Sequence, residues 1–394
     1  MTSNGIRDQV AIVGMGCTRF GELWHQSTSD LVIEAVAECL ASANASREAI
    51  DAYWLGTMDS GFSGLTLSMA LKTEHRPVTH VENLCASGSE ALRGAAYAVA
   101  SGAYDVAMAV GVEKLKDSGY SGLVRREPPD DGAAPETSAP AAFSYLVPAY
   151  RDAYGLDERT MRDVLTHIAV KNHANGALNP RAQFRDPITP EAVDRSPLVA
   201  GSLRVLDCSG VADGAAAALV VRAEDAHRFT DKPMYIKALS LVSGRGEVIL
   251  DDGASFVTLP EVVASAREAY RQAGIDDPRE ELSMAEVHDC FTPTELVLME
   301  DLGFAPPGAA WREVLDGVFD RGGALPVNVD GGLKSFGHPV GATGLRMLFE
   351  CWLQFRGEAG PRQLESPTMA LTQNLGGRPG RCVSFVSVVG SEQS

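Results

Sequence analysis

Two patterns of apolar residues alternate along the chain. Short unbroken apolar runs, Val10-Ala11-Ile12-Val13 and the stretch from Asp105 to Val112, predict strands buried on both faces. Between them lie longer segments with apolar positions at helical spacing. Leu31, Val32, Ala35, Val36 and Leu40 share one face of a helix, with Ser29-Asp30 as the expected cap. Ala86 to Ala100 predicts a helix of small residues, suited to burial against a second helix. Alternation of this kind is the signature of α/β architecture.

The pattern runs twice. Glu34 to Gly56 reads as helix, Ala-rich end, a turn at Ser46-Arg47-Glu48, then strand. Ala264 to Asp289 reads as helix, Ala273-Gly274, a turn at Asp277-Pro278-Arg279-Glu280, then a strand from Ser283. Cys85 followed by a helix and a strand is matched by His338, the helix Ala342 to Phe355 and the strand Pro367 to Thr372. Each half supplies a reactive residue at a helix start, so a site is expected where the halves meet. The stretch 113–199 breaks the repeat. It holds a proline-, alanine- and glycine-rich segment at 128–135, expected as a surface loop, and helical pieces at Ala142–Tyr154 and Glu158–Ala174. The expected division is 1–112 with 200–230 as one half, 113–199 as an insertion covering the site, and 231–394 as the other half. Trp54, Phe184 and Phe256 read as core aromatics.

Composition narrows the partners. The 394 residues carry a formal charge of −18 and a sequence pI of about 4.9, which argues against nucleic acid and against an anionic membrane surface. No apolar run approaches the roughly 20 residues that span a bilayer. Seven cysteines, widely spaced and odd in number, give no disulfide framework and no CxxC pair, which fits a reducing cytoplasm. The polar lead before Val10 shows no signal core, and Ser391-Glu392-Gln393-Ser394 is no peroxisomal tripeptide.

Cys85 lies between an extended apolar stretch and the small-residue helix. A thiol at a helix start feels the positive end of the helix dipole, which favours thiolate, so a depressed pKa is expected; a merely packed cysteine is the alternative. On a strand from Ser283 to Asp289, His288 and Cys290 would share a face and Asp289 the other. His338 stands between Gly337 and Pro339 at a glycine-spaced helix start. Each histidine alone could be structural. A cysteine with two histidines is a set for acyl transfer. No G-x-S-x-G stands in a strand-to-helix context and no Walker A is present. Without a short-spaced ligand pair, zinc at these residues is disfavoured and no metal is expected.

These residues also carry a resemblance. Gly337-His338-Pro339-Val340-Gly341-Ala342-Thr343-Gly344 resembles the thiolase superfamily. His288-Asp289-Cys290-Phe291 is specific to its sterol-carrier-protein branch. Lys171-Asn172-His173, Asn179-Pro180, Ala182-Gln183-Phe184 and Asp213-Gly214-Ala215-Ala216-Ala217 are similar to that branch too. The match runs from about Val10 to Val389. Common thiolases carry a Cys-x-Gly near the C-terminus, whereas this chain has Gln373-Asn374-Leu375-Gly376-Gly377; in the branch it resembles, the cysteine equivalent to Cys290 takes that role.

The resemblance implies an α/β thiolase fold: two repeated halves in a five-layer α-β-α-β-α core, with an inserted loop domain that binds coenzyme A. It implies coenzyme A thioesters as substrates, no bound cofactor, a homodimer, and in some members a small, separately encoded OB-fold partner. An anionic substrate also requires a local basic patch. The implied activity is cleavage of a 3-oxoacyl-coenzyme A or the reverse Claisen condensation, in fatty acid or sterol degradation. Cys85 would form the acyl-enzyme with His338 as base. Cys290 would move the α-proton, and His288 with His338 would support the enolate. The Cys85 N–H and an N–H near Gly376–Gly377 would form the second oxyanion hole. Open alternatives are acyl transfer to a non-coenzyme A acceptor, a retro-aldolase acting on a β-hydroxyacyl-coenzyme A, and an idle thiolase-like subunit.

Overall fold

The computed structural model describes residues 5–116, 138–246 and 255–393; the expected loop at 128–135 lies outside the described residues. Strand β1 (Val10–Cys17) is buried along its whole length. Helix α1 (Thr28–Ser42) follows, and its cap is Ser27 rather than the expected Ser29-Asp30. Ser27 Oγ accepts the Asp30 N–H while the Asp30 carboxylate accepts the Ser27 N–H, a reciprocal box in which Asp30 takes the third position. Then come β2 (Ala52–Gly56), α2 (Leu65–Leu71), β3 (Val78–Val81), α3 (Ser87–Ala100) and β4 (Val106–Glu113). Four helices, α4 (Ala139–Ser144), α5 (Leu146–Tyr154), α6 (Glu158–Ala177) and α7 (Pro190–Arg195), and the hairpin of β5 (Leu198–Ala200) and β6 (Leu203–Arg204) precede β7 (Gly214–Arg222).

The second pass begins with β8 (Met234–Ser243), α8 (Pro260–Ala273), the short α9 (Pro278–Glu281) and β9 (Met284–Glu286). It continues through α10 (Thr292–Asp301), α11 (Ala310–Leu315), α12 (Gly332–Phe336) and α13 (Thr343–Arg356) to β10 (Met369–Arg378) and β11 (Arg381–Gly390).

Nine strands form one sheet in the order β3-β2-β4-β7-β1-β8-β11-β10-β9. Its symmetry bears out the repeat. From β1 outward the pairings run antiparallel to β7, antiparallel to β4, then parallel to β2. From β8 outward they run antiparallel to β11, antiparallel to β10, then parallel to β9. The halves join where Ala11 and Ile12 pair with Tyr235 and Met234.

Helices cover both faces, which is why the strands read as continuous apolar runs. On β7, Ala215, Ala217, Leu219 and Val221 face a core shared with α1, while Ala216, Ala218 and Val220 face one shared with α3 and α13. α1 packs on β1 and β7, and α8 packs on β8 and β11. α3 and α13 touch each other between the half-sheets, which gives the five layers. The approach of α1 to β1 is backbone to backbone: a Cβ on Gly16 would lie 2.1 Å from the Ala35 carbonyl oxygen. No helix among the described residues is long and apolar enough to cross a membrane.

Candidate active site

Cys85 stands in the turn between β3 and α3. Leu84 takes φ 53°, a conformation that costs a non-glycine residue free energy, and Ser87 holds it. Ser87 Oγ accepts the Asn83 N–H at 2.9 Å and donates to the Leu84 carbonyl at 2.6 Å. The thiol sits two residues ahead of α3 and is 7% exposed. β10 runs against this turn. A Cβ on Gly376 would lie 2.1 Å from the Asn83 carbonyl oxygen, and the Gly377 N–H hydrogen-bonds Cys85. The Gly376–Gly377 stretch is thus beside Cys85.

His338 enters from the other half, just before α13. Its Nδ1 meets Thr343 Oγ1 at 2.7 Å, and its Nε2 is buried without a partner. His288 comes from an irregular segment rather than a strand, because β9 ends at Glu286. Alternation nevertheless persists: His288 and Cys290 go one way and Asp289 the other. The reason is that the segment bonds to side chains instead of a neighbouring strand. Val287 N–H donates to Asn328 Oδ1 at 2.8 Å and His288 N–H to Gln373 Oε1 at 3.4 Å. The Asp289 carboxylate accepts Leu333 N–H at 2.6 Å, Lys334 N–H at 3.2 Å and Asn172 Nδ2 at 2.7 Å. That knot ties the His288–Cys290 segment to α12, which leads directly to His338.

Cys85 Sγ and one nitrogen of each histidine lie within 4.8 Å of one another. The two imidazole rings meet edge to face, with centroids 5.3 Å apart and planes at 85°. Cys290 stands ahead of α10, buried, with its sulfur 3.8 Å from Thr294 Oγ1. These three ligand atoms have the number and softness to hold a cation such as zinc. The same closeness is what proton exchange requires.

Burial dominates the electrostatics. It pushes the Cys85 thiol up to about 12, against the opposing Gly377 N–H. The thiol depressed by the helix dipole that the sequence leads one to expect is therefore not what the structure shows: desolvation outweighs the dipole. Burial also lowers His338 to about 3, helped by the positive charge of Arg346, and holds His288 well below the usual imidazole range. Arg346 is fully buried on α13, bound to Asp330 at 2.6 Å and Glu286 at 3.1 Å. At neutral pH the site is a neutral thiol beside two neutral imidazoles.

The Thiolase N-terminal domain model matches residues 10–224 and the thiolase C-terminal domain-like model residues 250–386. The chain belongs to the thiolase family. It is 37% identical over 379 residues to an acetyl-CoA acetyltransferase of Methanothermobacter thermautotrophicus, covering 94% of this chain and 97% of that protein. It is 32% identical over 393 residues to human sterol carrier protein 2, covering 93% of this chain and 70% of that one. Among solved structures, an Ltp2-ChsH2(DUF35) aldolase superposes with a TM-score of 0.84 at 24% identity, covering 99% of both chains, which speaks for the fold. This thiolase is accordingly an acyltransferase of the sterol-carrier-protein type.

The structure brings together Cys85, His288 and His338, which the sequence singles out, with Cys290 beside them. The alternation that turns Asp289 away from them does not reveal that it anchors α12, which is a tertiary contact. Thr343 and Asn374 lie inside stretches the sequence singles out, but nothing local shows that they, or Ser89, contact the histidines or each other. Phe184, expected in the core, is 39% exposed and stacks on His173.

Proposed function

We propose that this thiolase cleaves a 3-oxoacyl-coenzyme A with coenzyme A, or runs the reverse Claisen condensation, through an acyl thioester on Cys85. The observation that carries the reading is the convergence of Cys85, His288 and His338 within 4.8 Å at the junction of the halves. Since thiol and imidazole both start neutral, Cys85 Sγ attacks the acyl carbonyl as its proton passes to the bare Nε2 of His338. The departing coenzyme A thiolate takes that proton from His338 and leaves as the thiol. Gly377 N–H and the Cys85 N–H are the donors offered to an oxyanion.

Cys290 then handles the α-proton. Its thiol is pushed up chiefly by burial, with the contact to Thr294 Oγ1 at 3.8 Å opposing. His288 donates to the enolate oxygen.

Residues 138–199 serve as the described part of the insertion. Arg151, Arg159, Arg162 and Arg204 line a cleft of about 950 Å³; Arg151, Arg159 and Arg162 are paired with carboxylates, and Arg204 is the cation offered there to a coenzyme A phosphate in a chain of net charge −18. The half-exposed edge strand β3, with Phe62 at 84% and Leu65 and Met69 at 67% exposure nearby, supports a homodimer through this edge. A cytoplasmic role in lipid degradation, with an optional small OB-fold partner, completes the reading; the DUF35 component named for the aldolase neighbour supports such a partner.

Acetyl-coenzyme A incubated with the full chain should leave one acetyl group on Cys85 by peptide mass, and none on Cys85→Ala. Absence of the adduct, with 3-oxoacyl-coenzyme A left intact, would overturn the reading.

A further inference from the structure

We propose that Asn374 and Thr343 are positioning residues that hold the two site histidines in opposite neutral tautomers, His288 protonated on Nε2 and His338 protonated on Nδ1. One ring is thereby fixed as a donor and the other as an acceptor. The inference deepens the acyl-transfer reading, and its kinetic consequences rest on that reading; the tautomers themselves do not.

Asn374 is fully buried on β10. Its carboxamide oxygen accepts the Ser89 hydroxyl at 3.0 Å, which turns its NH2 toward His288 Nδ1 at 3.1 Å. An amide NH2 only donates, so Nδ1 must present a lone pair and the proton resides on Nε2. Thr343 acts in the opposite sense. Its hydroxyl donates to the Pro339 carbonyl at 3.0 Å. The oxygen that faces His338 Nδ1 at 2.7 Å is left as acceptor, and Nδ1 must bring the proton. His338 Nε2, buried and without a partner, is then bare.

The relay through Ser89 joins α3 of the first half to β10 of the second. Space for it depends on Gly344, where a Cβ would lie 1.9 Å from Ser89 Oγ. Burial keeps both rings neutral, so the question of tautomer is real for each. With the tautomers reversed, His338 would aim a hydrogen at a protonated thiol and no base would face Cys85. His288 would aim a lone pair at the enolate oxygen.

The test is direct. The full chain, labelled with 15N-histidine, is examined by long-range 1H–15N correlation at neutral pH, with peaks assigned from His288→Gln and His338→Gln. The expected result is an Nε2–H imidazole for His288 and an Nδ1–H imidazole for His338. The reverse tautomer or an imidazolium at either position would overturn the assignment. Kinetics add a readout that a merely structural role would not give. Thr343→Val should slow acetylation of Cys85 roughly 5- to 150-fold, the range for stranding one buried donor, and Thr343→Ser should restore it. Asn374→Leu should spare acetylation and slow condensation by a similar factor. Wild-type acetylation by Thr343→Val, or no rescue by Thr343→Ser, would also overturn it. Should Cys85 never acetylate in the wild type, the acyl-transfer reading falls while the spectrum still decides the tautomers.

Discussion

Asp289 is the residue whose loss the structure penalises most clearly without touching the reacting atoms. Its carboxylate accepts from three buried donors: Leu333 N–H, Lys334 N–H and Asn172 Nδ2. Asp289→Ala removes every acceptor at once and leaves no exit to solvent, since the site is 1% exposed. Each stranded donor costs about 1–3 kcal/mol, and partial relaxation of the loop should hold the sum to about 3–5 kcal/mol. With roughly 2.1 cal/mol/K of unfolding entropy per residue, the 394 residues give about 0.8 kcal/mol/K, hence a drop in Tm of about 4–6 °C. The same change should lower kcat far more than KM, because the segments bearing His288, Cys290 and His338 lose their common anchor. Differential scanning calorimetry and thiolysis kinetics on the purified variant check both. Burial and the nearby Glu295 raise Asp289 to about 7, so its ionised form is disfavoured in the fold. Folded-state pKa above the unfolded value means this group destabilises as pH rises from about 4 to about 7, a slope that Asp289→Ala should remove. A variant with wild-type Tm and wild-type kcat would refute the anchoring argument.

Other outcomes follow from the same geometry. Cys290→Ala should abolish condensation and thiolysis while leaving acetylation of Cys85 intact, as read by peptide mass; normal turnover would point to another base. With the Cys85 thiol pushed up to about 12, its alkylation by iodoacetamide should rise about tenfold per pH unit from pH 6 to 9, following the thiolate fraction. A plateau near pH 7 in a stopped-rate labelling series would show that the dipole wins after all. Leu65→Glu with Met69→Glu, on the exposed face beside β3, should shift the protein from dimer to monomer in light scattering, and an unchanged mass would remove this edge as the interface.

Much of the fold was legible because each half writes its elements with the same signals. Buried runs such as Val10–Val13 and the cap-and-stripe pattern of α1 survive into the structure within a few residues. The local error at α1 is instructive: Ser29 is a good cap residue, but only Ser27 has an acid at the third position to reciprocate. The strand expected through Asp289 stops at Glu286, because beyond it the backbone bonds to Asn328 and Gln373 side chains from other elements. Nothing near His288 in sequence announces that. The Cys85 thiol departs from the sequence expectation for a related reason. A helix N-terminus is visible in the sequence, whereas the desolvation that overrides it comes from packing by β10 and the second half.

The glycine-spaced motif around His338 illustrates how far a chemical signature can be a packing signature. Gly341 presents its carbonyl to the first half so closely that a Cβ on Gly88 or Gly111 would lie 2.5 or 2.2 Å from it. Gly344 clears Ser89 in the same way. These contacts bring the starts of α3 and α13 together, and Cys85 and His338 stand just ahead of those starts. Any side chain at Gly88, Gly111 or Gly344 would separate the helices before it touched a substrate. Under the proposed acyl transfer, the glycines act through distance. They set how near a thiol from one half can come to an imidazole from the other. A neutral pair at short range is what this packing produces. Under the proposed acyl transfer, this pair leaves the thiol protonated until a carbonyl takes the electron pair as the imidazole takes the proton.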